Sequence, residues 1–375
     1  MDERVREHAR VLVDWSARVT AGDDVVLSVA EGAHELAVAV ARELGEREAT
    51  VTTLYDSAEV TRGYLRGVAA GGADIDDDQP VDRALYEAAD VVLRLGGGRN
   101  TTATADVPRE TRRAYATARE GVREARMATD WVSTVHPTRA LAQQAGMSVE
   151  AYRDFVYDAV VRDWESLAEE MAQLKALFDA GARVRLVTER ADAPDTDVEM
   201  RIDGRTAVNS AASVAYDSHN LPSGEVFTAP YATEGEAFFD VPMTIDATRV
   251  RDVHLVFEDG EVVDVTAAQG QSAVESVLET DPGARRLGEL GVGMNRGIDR
   301  FTDSILFDEK MGDTVHLAVG RAYDACLPEG EAGNDSAVHV DMITDVSADS
   351  RLEVDGEVVQ RNGTFRWEDG FEEEE

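Results

Sequence analysis

Residues 24–54 read DVVLSVAEGAHELAVAVARELGEREATVTTL. The stretch opens on a short apolar run, residues 24–29, that reads as a buried strand. Residues 33–44 then carry apolar positions at helical spacing, and residues 50–54 form a second β-branched run. Strand, helix, strand in that order is the unit from which parallel sheets are built. The pattern continues in both directions. Before it, Val5, Ala9, Val11, Leu12 and Trp15 recur at helical spacing over residues 3–18. After it, residues 89–95 (ADVVLRL) read as a third strand and 108–126 as helical. Residues 148–180 form a long helical run with Tyr152, Phe155, Val156, Val160, Trp164, Leu167 and Met171 along one broad face.

Beyond about Ala182 the apolar period drops to two. Val184, Leu186 and Thr188 begin the alternation, and Val198, Met200 and Ile202 precede Asp203-Gly204. Val253, Leu255 and Phe257 precede Asp259-Gly260, with Val262 and Val265 after it, and Leu352 and Val354 lead into Asp355-Gly356. Asp-Gly between alternating runs is a strong hairpin signal. One helix is expected near residues 273–278. The expected class is α/β: an N-terminal α/β domain (1–182) with a mostly parallel sheet, then an antiparallel-rich α+β domain (183–375).

A chain of 375 residues with 43% hydrophobic residues is long enough for two such cores. No stretch approaches the roughly 18 apolar residues of a membrane helix. The opening MDERVREHARVLVDW is charged and lacks a signal-peptide core. Cys326 is the sole cysteine, so no intrachain disulfide can form, and a reducing compartment, the cytoplasm, is expected. There are 75 Asp and Glu against 37 Lys and Arg, a net charge of -38, and Lys175 and Lys310 are the only lysines. Apart from the 372–375 end, the acids are spread through both halves. That distribution suits a surface adapted to a high-salt interior, where screening over roughly 3 Å at 1 M salt removes self-repulsion. Nucleic acid and anionic membranes, which need a cationic footprint, are disfavoured as partners.

Several common signatures fail. His34-Glu35 starts like a zincin helix, but Val38 stands where the second histidine is needed. Gly270-Gln271-Ser272 lacks the second glycine of a nucleophile elbow. Gly96-Gly97-Gly98 matches neither a Walker loop nor a dinucleotide fingerprint and reads as a strand-end turn, and Cys326 as a small packed residue.

What remains lies in the second half. In residues 336–343 (SAVHVDMI) the alternation sets His339 and Asp341 on one face of a strand, a pairing that suits a hard or borderline cation. His316 sits in an apolar strand (314–320), with Tyr323 shortly after it. Glu225 lies beside Val226 and Phe227, and Glu289 among glycines and leucines. An unpaired carboxylate buried in such surroundings would cost several kcal/mol. Each residue alone also fits a plain role: a surface hydrogen-bonded pair, a core histidine, a packed tyrosine, a solvated acid.

Taken in order, PSGEVFTAP (222–230), LGE (287–289), VHLAVGRAY (315–323) and HVDMI (339–343) resemble the M29 family of metal-dependent aminopeptidases, the aminopeptidase T type. The likeness extends into the first half through Trp131-Val132-Ser133, Pro137, Ala145-Gly146-Met147-Ser148 and the run from Tyr152 to Trp164. The resemblance implies a homodimeric exopeptidase, with its metal site in the 183–375 domain, that removes the N-terminal residue of peptides with the help of two divalent ions (Zn, Co, Mn or Mg). It implies metal-site roles for Glu225, Glu289, His316, Tyr323, His339 and Asp341. Glu289 would bridge the ions or act as general base, and Tyr323 would ligate or stabilise the oxyanion. Gly224 is a departure, since a second acidic residue is expected there. The rival readings are a ring-cleaving dioxygenase of the same fold, holding one iron partly through His339 and Asp341, and a non-catalytic binding homologue.

Overall fold

A computed structural model describes residues 2–72, 75, 79–246 and 248–372. The opening stretch folds as its periodicity dictates, into strand Asp24–Ala30, helix His34–Glu46 and strand Thr50–Asp56. With Val91–Gly96, Asp130–Val135 and the short Asn220–Leu221 they form a five-stranded sheet, ordered Thr50–Asp56, Asp24–Ala30, Val91–Gly96, Asp130–Val135, Asn220–Leu221. Every pair in it is parallel. Crossover helices cover such a sheet, which is why its central strands read as nearly unbroken apolar runs. Val25, Leu27, Val92 and Leu93 are all buried.

Two long helical runs are each broken once. The first becomes Arg109–Ala118 and Glu120–Met127, and the second becomes Val149–Val160 and Trp164–Ala180. The second break has a local cause, because Asp163 accepts a hydrogen bond from the Ser166 amide at 3.1 Å and so caps a new helix. At the N-terminus Glu3–Arg10 runs on into a π-helical turn, Val11–Ser16.

The chain divides into two compact units, Met1–Arg162 with Ala212–Pro222, and Asp163–Ala211 with Ser223–Glu375. Helix Trp164–Ala180 belongs to the second. It packs on strands Val208–Ser210 and Glu225–Thr228, and its Ala168 carbonyl accepts from Asn209 Nδ2 at 2.9 Å.

Two antiparallel sheets build the second unit. The larger has nine strands. In it, Asp259-Gly260 joins Thr248–Glu258 to Glu261–Gln269, and Asp355-Gly356 joins Ser350–Val354 to Glu357–Arg361. In both turns the two residues have φ between 51° and 83°, the geometry that matches strand twist. Asp203-Gly204 departs from the expected hairpin. Only its glycine has positive φ, and the next strand, Val208–Ser210, joins the smaller sheet instead of pairing back. That smaller sheet runs His339–Asp345, Thr314–Gly320, Leu287–Gly293, Glu225–Thr228, Val208–Ser210. The helix expected near 273–278 is present as Gln271–Leu278. Among the described residues no helix is long and apolar enough to cross a membrane.

Candidate metal centre

The smaller sheet gathers the acidic and histidine residues singled out by the sequence. Its register sets Glu225 opposite Gly293, Gly291 opposite His316, Ala318 opposite both Glu289 and Asp341, and Gly320 opposite His339. Opposed residues in an antiparallel pair share a face, and so do residues two apart on a strand. Glu225, Glu289, His316, His339 and Asp341 therefore stand on one face, contributed by four strands. The positions between them are small: Gly291, Gly293, Ala318 and Gly320. At Gly291 nothing larger fits, because a Cβ there would lie 2.0 Å from His316 Nε2.

The five side chains form two groups that share one member. In the first, His316 Nε2 is 3.0 Å from Glu289 Oε1 and 3.5 Å from Glu225 Oε2. In the second, His339 Nε2 is 3.7 Å from Glu289 Oε2 and 3.4 Å from Asp341 Oδ1. Within each group one ligand-type atom per residue lies within 4.8 Å of the others, and Glu289 turns one oxygen to each group. His339 is held by its far nitrogen, since Nδ1–H donates to the Arg321 carbonyl at 2.8 Å and aims Nε2 at the carboxylates.

Electrostatics tests whether this donor set suits a cation. Glu225, Glu289 and His316 are buried. Burial pushes the Glu289 carboxyl up; His316 pulls it back, while Asp341 and Glu225 add to the rise. Burial would lower both histidines, but the carboxylates outweigh it, raising His316 and taking His339 to about 9. Asp341 goes the other way, because His339 outweighs its burial. Four buried atoms, Glu225 Oε2, Glu289 Oε2, Asp341 Oδ1 and His316 Nδ1, have no hydrogen-bond partner. Three carboxylates crowded together with unanswered oxygens are costly without positive charge. Oxygen and imidazole donors suit a hard or borderline divalent ion. The residues fit such an ion.

Tyr323 flanks this cluster. Its ring centroid is 4.9 Å from that of His339 and 5.8 Å from that of Phe227, and burial and the three carboxylates push its hydroxyl above the ordinary range. A cleft of about 540 Å³ opens beside His339 and Asp341, walled in part by Val241, Met243, Ile245 and Phe301.

The structure adds a residue that sequence reasoning passed over. Lys310 is fully buried, with its Nζ 3.3 Å from Glu225 Oε1 and in contact with Glu309. Its signal was available: where 35 of 37 basic residues are arginine, a lysine in the second half is conspicuous. Gly224 also finds its reason. Its φ is +114°, and a Cβ would meet that of Asn295 at 2.8 Å, so no acidic side chain fits beside Glu225 here. Cys326 is buried and its thiol is pushed up to about 12 by burial, which leaves it inert. Gly97 is packed rather than open: its carbonyl accepts from the Gly32 amide at 2.9 Å, and a Cβ on it would meet the His136 carbonyl.

Known proteins share this architecture. A family model described as thermophilic metalloprotease (M29) matches residues 1–365. Aminopeptidase T of Thermus thermophilus is 29% identical over 351 residues, covering 81% of this chain and 82% of that protein. Aminopeptidase 2 of Geobacillus stearothermophilus is 31% identical over 238 residues, 56% of each chain. Among solved structures, wild-type AmpT from Thermus thermophilus superposes with a TM-score of 0.82 at 23% identity, covering 97% of this chain and 99% of that one. With a match that spans nearly its whole length, this chain belongs to the M29 family of metalloproteases.

Proposed function

We propose that this metal-dependent aminopeptidase removes the N-terminal residue of peptides at a site for two divalent ions. One ion would be held by Glu225, Glu289 and His316, the other by Glu289, His339 and Asp341. The observation that carries this reading is the shared Glu289, which faces both groups. Divalent ions in such a site supply Lewis acidity and lower the pKa of a water towards neutrality.

The protein's own residues set the rest. Glu289, already raised by burial, is suited to bridge or to take a proton. The Tyr323 hydroxyl, which stays protonated, is suited to donate a hydrogen bond to the developing oxyanion, or to ligate. The acidic cluster favours a substrate with a free α-amine. Residues 183–375 would form the catalytic domain. The single-iron dioxygenase reading is not favoured: one iron needs neither Glu225 nor His316 in addition to His339 and Asp341.

A homodimer in a salt-adapted cytoplasm completes the proposal. The net charge of -38 and the lone, buried cysteine support the setting; the family likeness supports the dimer. Zn, Co, Mn and Mg are all compatible with the donors. The test is turnover of a panel of aminoacyl-p-nitroanilides in molar salt, with chelator and with added Co, Zn or Mn, beside a metal assay. Loss of turnover on chelation, its return with metal and about two ions per chain are expected. His339→Ala should abolish activity while the fold persists; native-like turnover in that variant removes His339 from the site.

A further inference from the structure

The α/β unit carries a cationic pocket that the proposed chemistry does not use. One cross-strand row of its parallel sheet is polar where a covered sheet is normally apolar. Ser28 is paired in register with Arg94, and Arg94 with Ser133, on three successive strands. Two residues towards the strand starts, the same face is apolar: Val26, Val92 and Trp131 are in register and pack with Tyr86 and Val122. The polar row lies in the carboxyl half of the strands. Its first pair straddles Asp24–Ala30 and Val91–Gly96, where the strand order reverses, the place at which open parallel sheets bind ligands.

A cleft of about 820 Å³ stands over this floor, with Arg94 beneath it, Arg123 and Arg126 from the helix Glu120–Met127 and Arg119 from the turn before that helix around it. Arg119 is paired with Asp82 at 2.7 Å. Among the described residues, Arg94, Arg123 and Arg126 have no carboxylate partner within 4.0 Å, in a chain with two acids for every base. Arg126 lies over the Trp131 ring at 4.7 Å, and its Nη1 is buried without a hydrogen-bond partner. Burial and its neighbours Arg94 and Arg123 together pull that guanidinium below its ordinary value. Tyr55 and Tyr115 add aromatic surface to the same cleft. Asp56 and Glu120 also line it, so the local balance is only modestly positive, suited to one dianionic group.

We infer that this pocket binds a small phosphate-bearing molecule, with Arg94, Arg123 and Arg126 on the phosphate and the tyrosines beside the rest of the ligand. Guanidinium forks match phosphate oxygens, and a phosphate monoester carries enough charge to answer several of them.

Calorimetric titration of the full chain with inorganic phosphate and, separately, with adenosine monophosphate tests this. Saturable binding is expected for both, tighter for the nucleotide if the tyrosines contribute and equal if phosphate alone is read. Arg94→Gln should weaken either ligand by about tenfold. The exposed Arg123→Gln should fold normally and also weaken binding, whereas Arg112→Gln, outside the cleft, should not. Absence of saturable binding overturns the inference. So does binding that Arg123→Gln and Arg94→Gln leave unchanged, which would place the anion outside this cleft.

Discussion

Lys310 shows how much one side chain can decide. Its ammonium is wholly buried between Glu225 and Glu309. A buried charge pair contributes little net stability, but removing one partner leaves the other stranded, at a cost of about 3–5 kcal/mol. Lys310→Met is therefore expected to lower the urea stability of the metal-free protein by roughly that amount. Added divalent metal, which answers Glu225 by another route, should recover part of the loss. A methionine variant as stable as the native chain without metal would show that Lys310 does not balance Glu225. The same residue marks a limit of reading by motif. Glu225, Glu289, His316, Tyr323, His339 and Asp341 sit in recognisable local strings, whereas Lys310 reaches Glu225 only through folding.

At the scale of elements, the site depends on what the strands leave out. Gly291 faces His316 directly, and any side chain there would displace the imidazole. Gly291→Ala should cost about a hundredfold in turnover, the order of loss that a 1 Å misplacement produces, and should lower metal content by elemental analysis. Full occupancy and native turnover would mean that the sheet can relax around a methyl group. Periodicity made most strands and helices legible, because burial on one face imposes it. It fixed Thr314–Gly320 and the helix His34–Glu46 closely. It could not reveal that Asp203-Gly204 sends the chain into a different sheet, since sheet membership is set by distant partners. Nor could it find the break at Asp163, where a single capping carboxylate restarts a helix within an otherwise continuous apolar face.

For the molecule as a whole, charge is the governing quantity. A net -38 spread over both halves opposes compaction through self-repulsion, and salt relieves it. The melting temperature should therefore rise between 0.1 and 2 M KCl, measured by calorimetry or circular dichroism. A flat or falling curve would count against salt adaptation. Surface arginines already offset part of the strain, as in the pairs of Arg185 with Asp197 and Arg62 with Asp106, although such exposed pairs contribute little each. Near-exclusive use of arginine has a practical corollary. With Lys310 sealed inside the fold, Lys175, partly exposed and bonded to Asp179 at 2.6 Å, is the one lysine open to solvent. Once the α-amine is blocked, an amine-reactive dye or tether applied to the folded chain thus meets a single lysine, which makes Lys175 a natural handle for attaching this protein in a defined orientation.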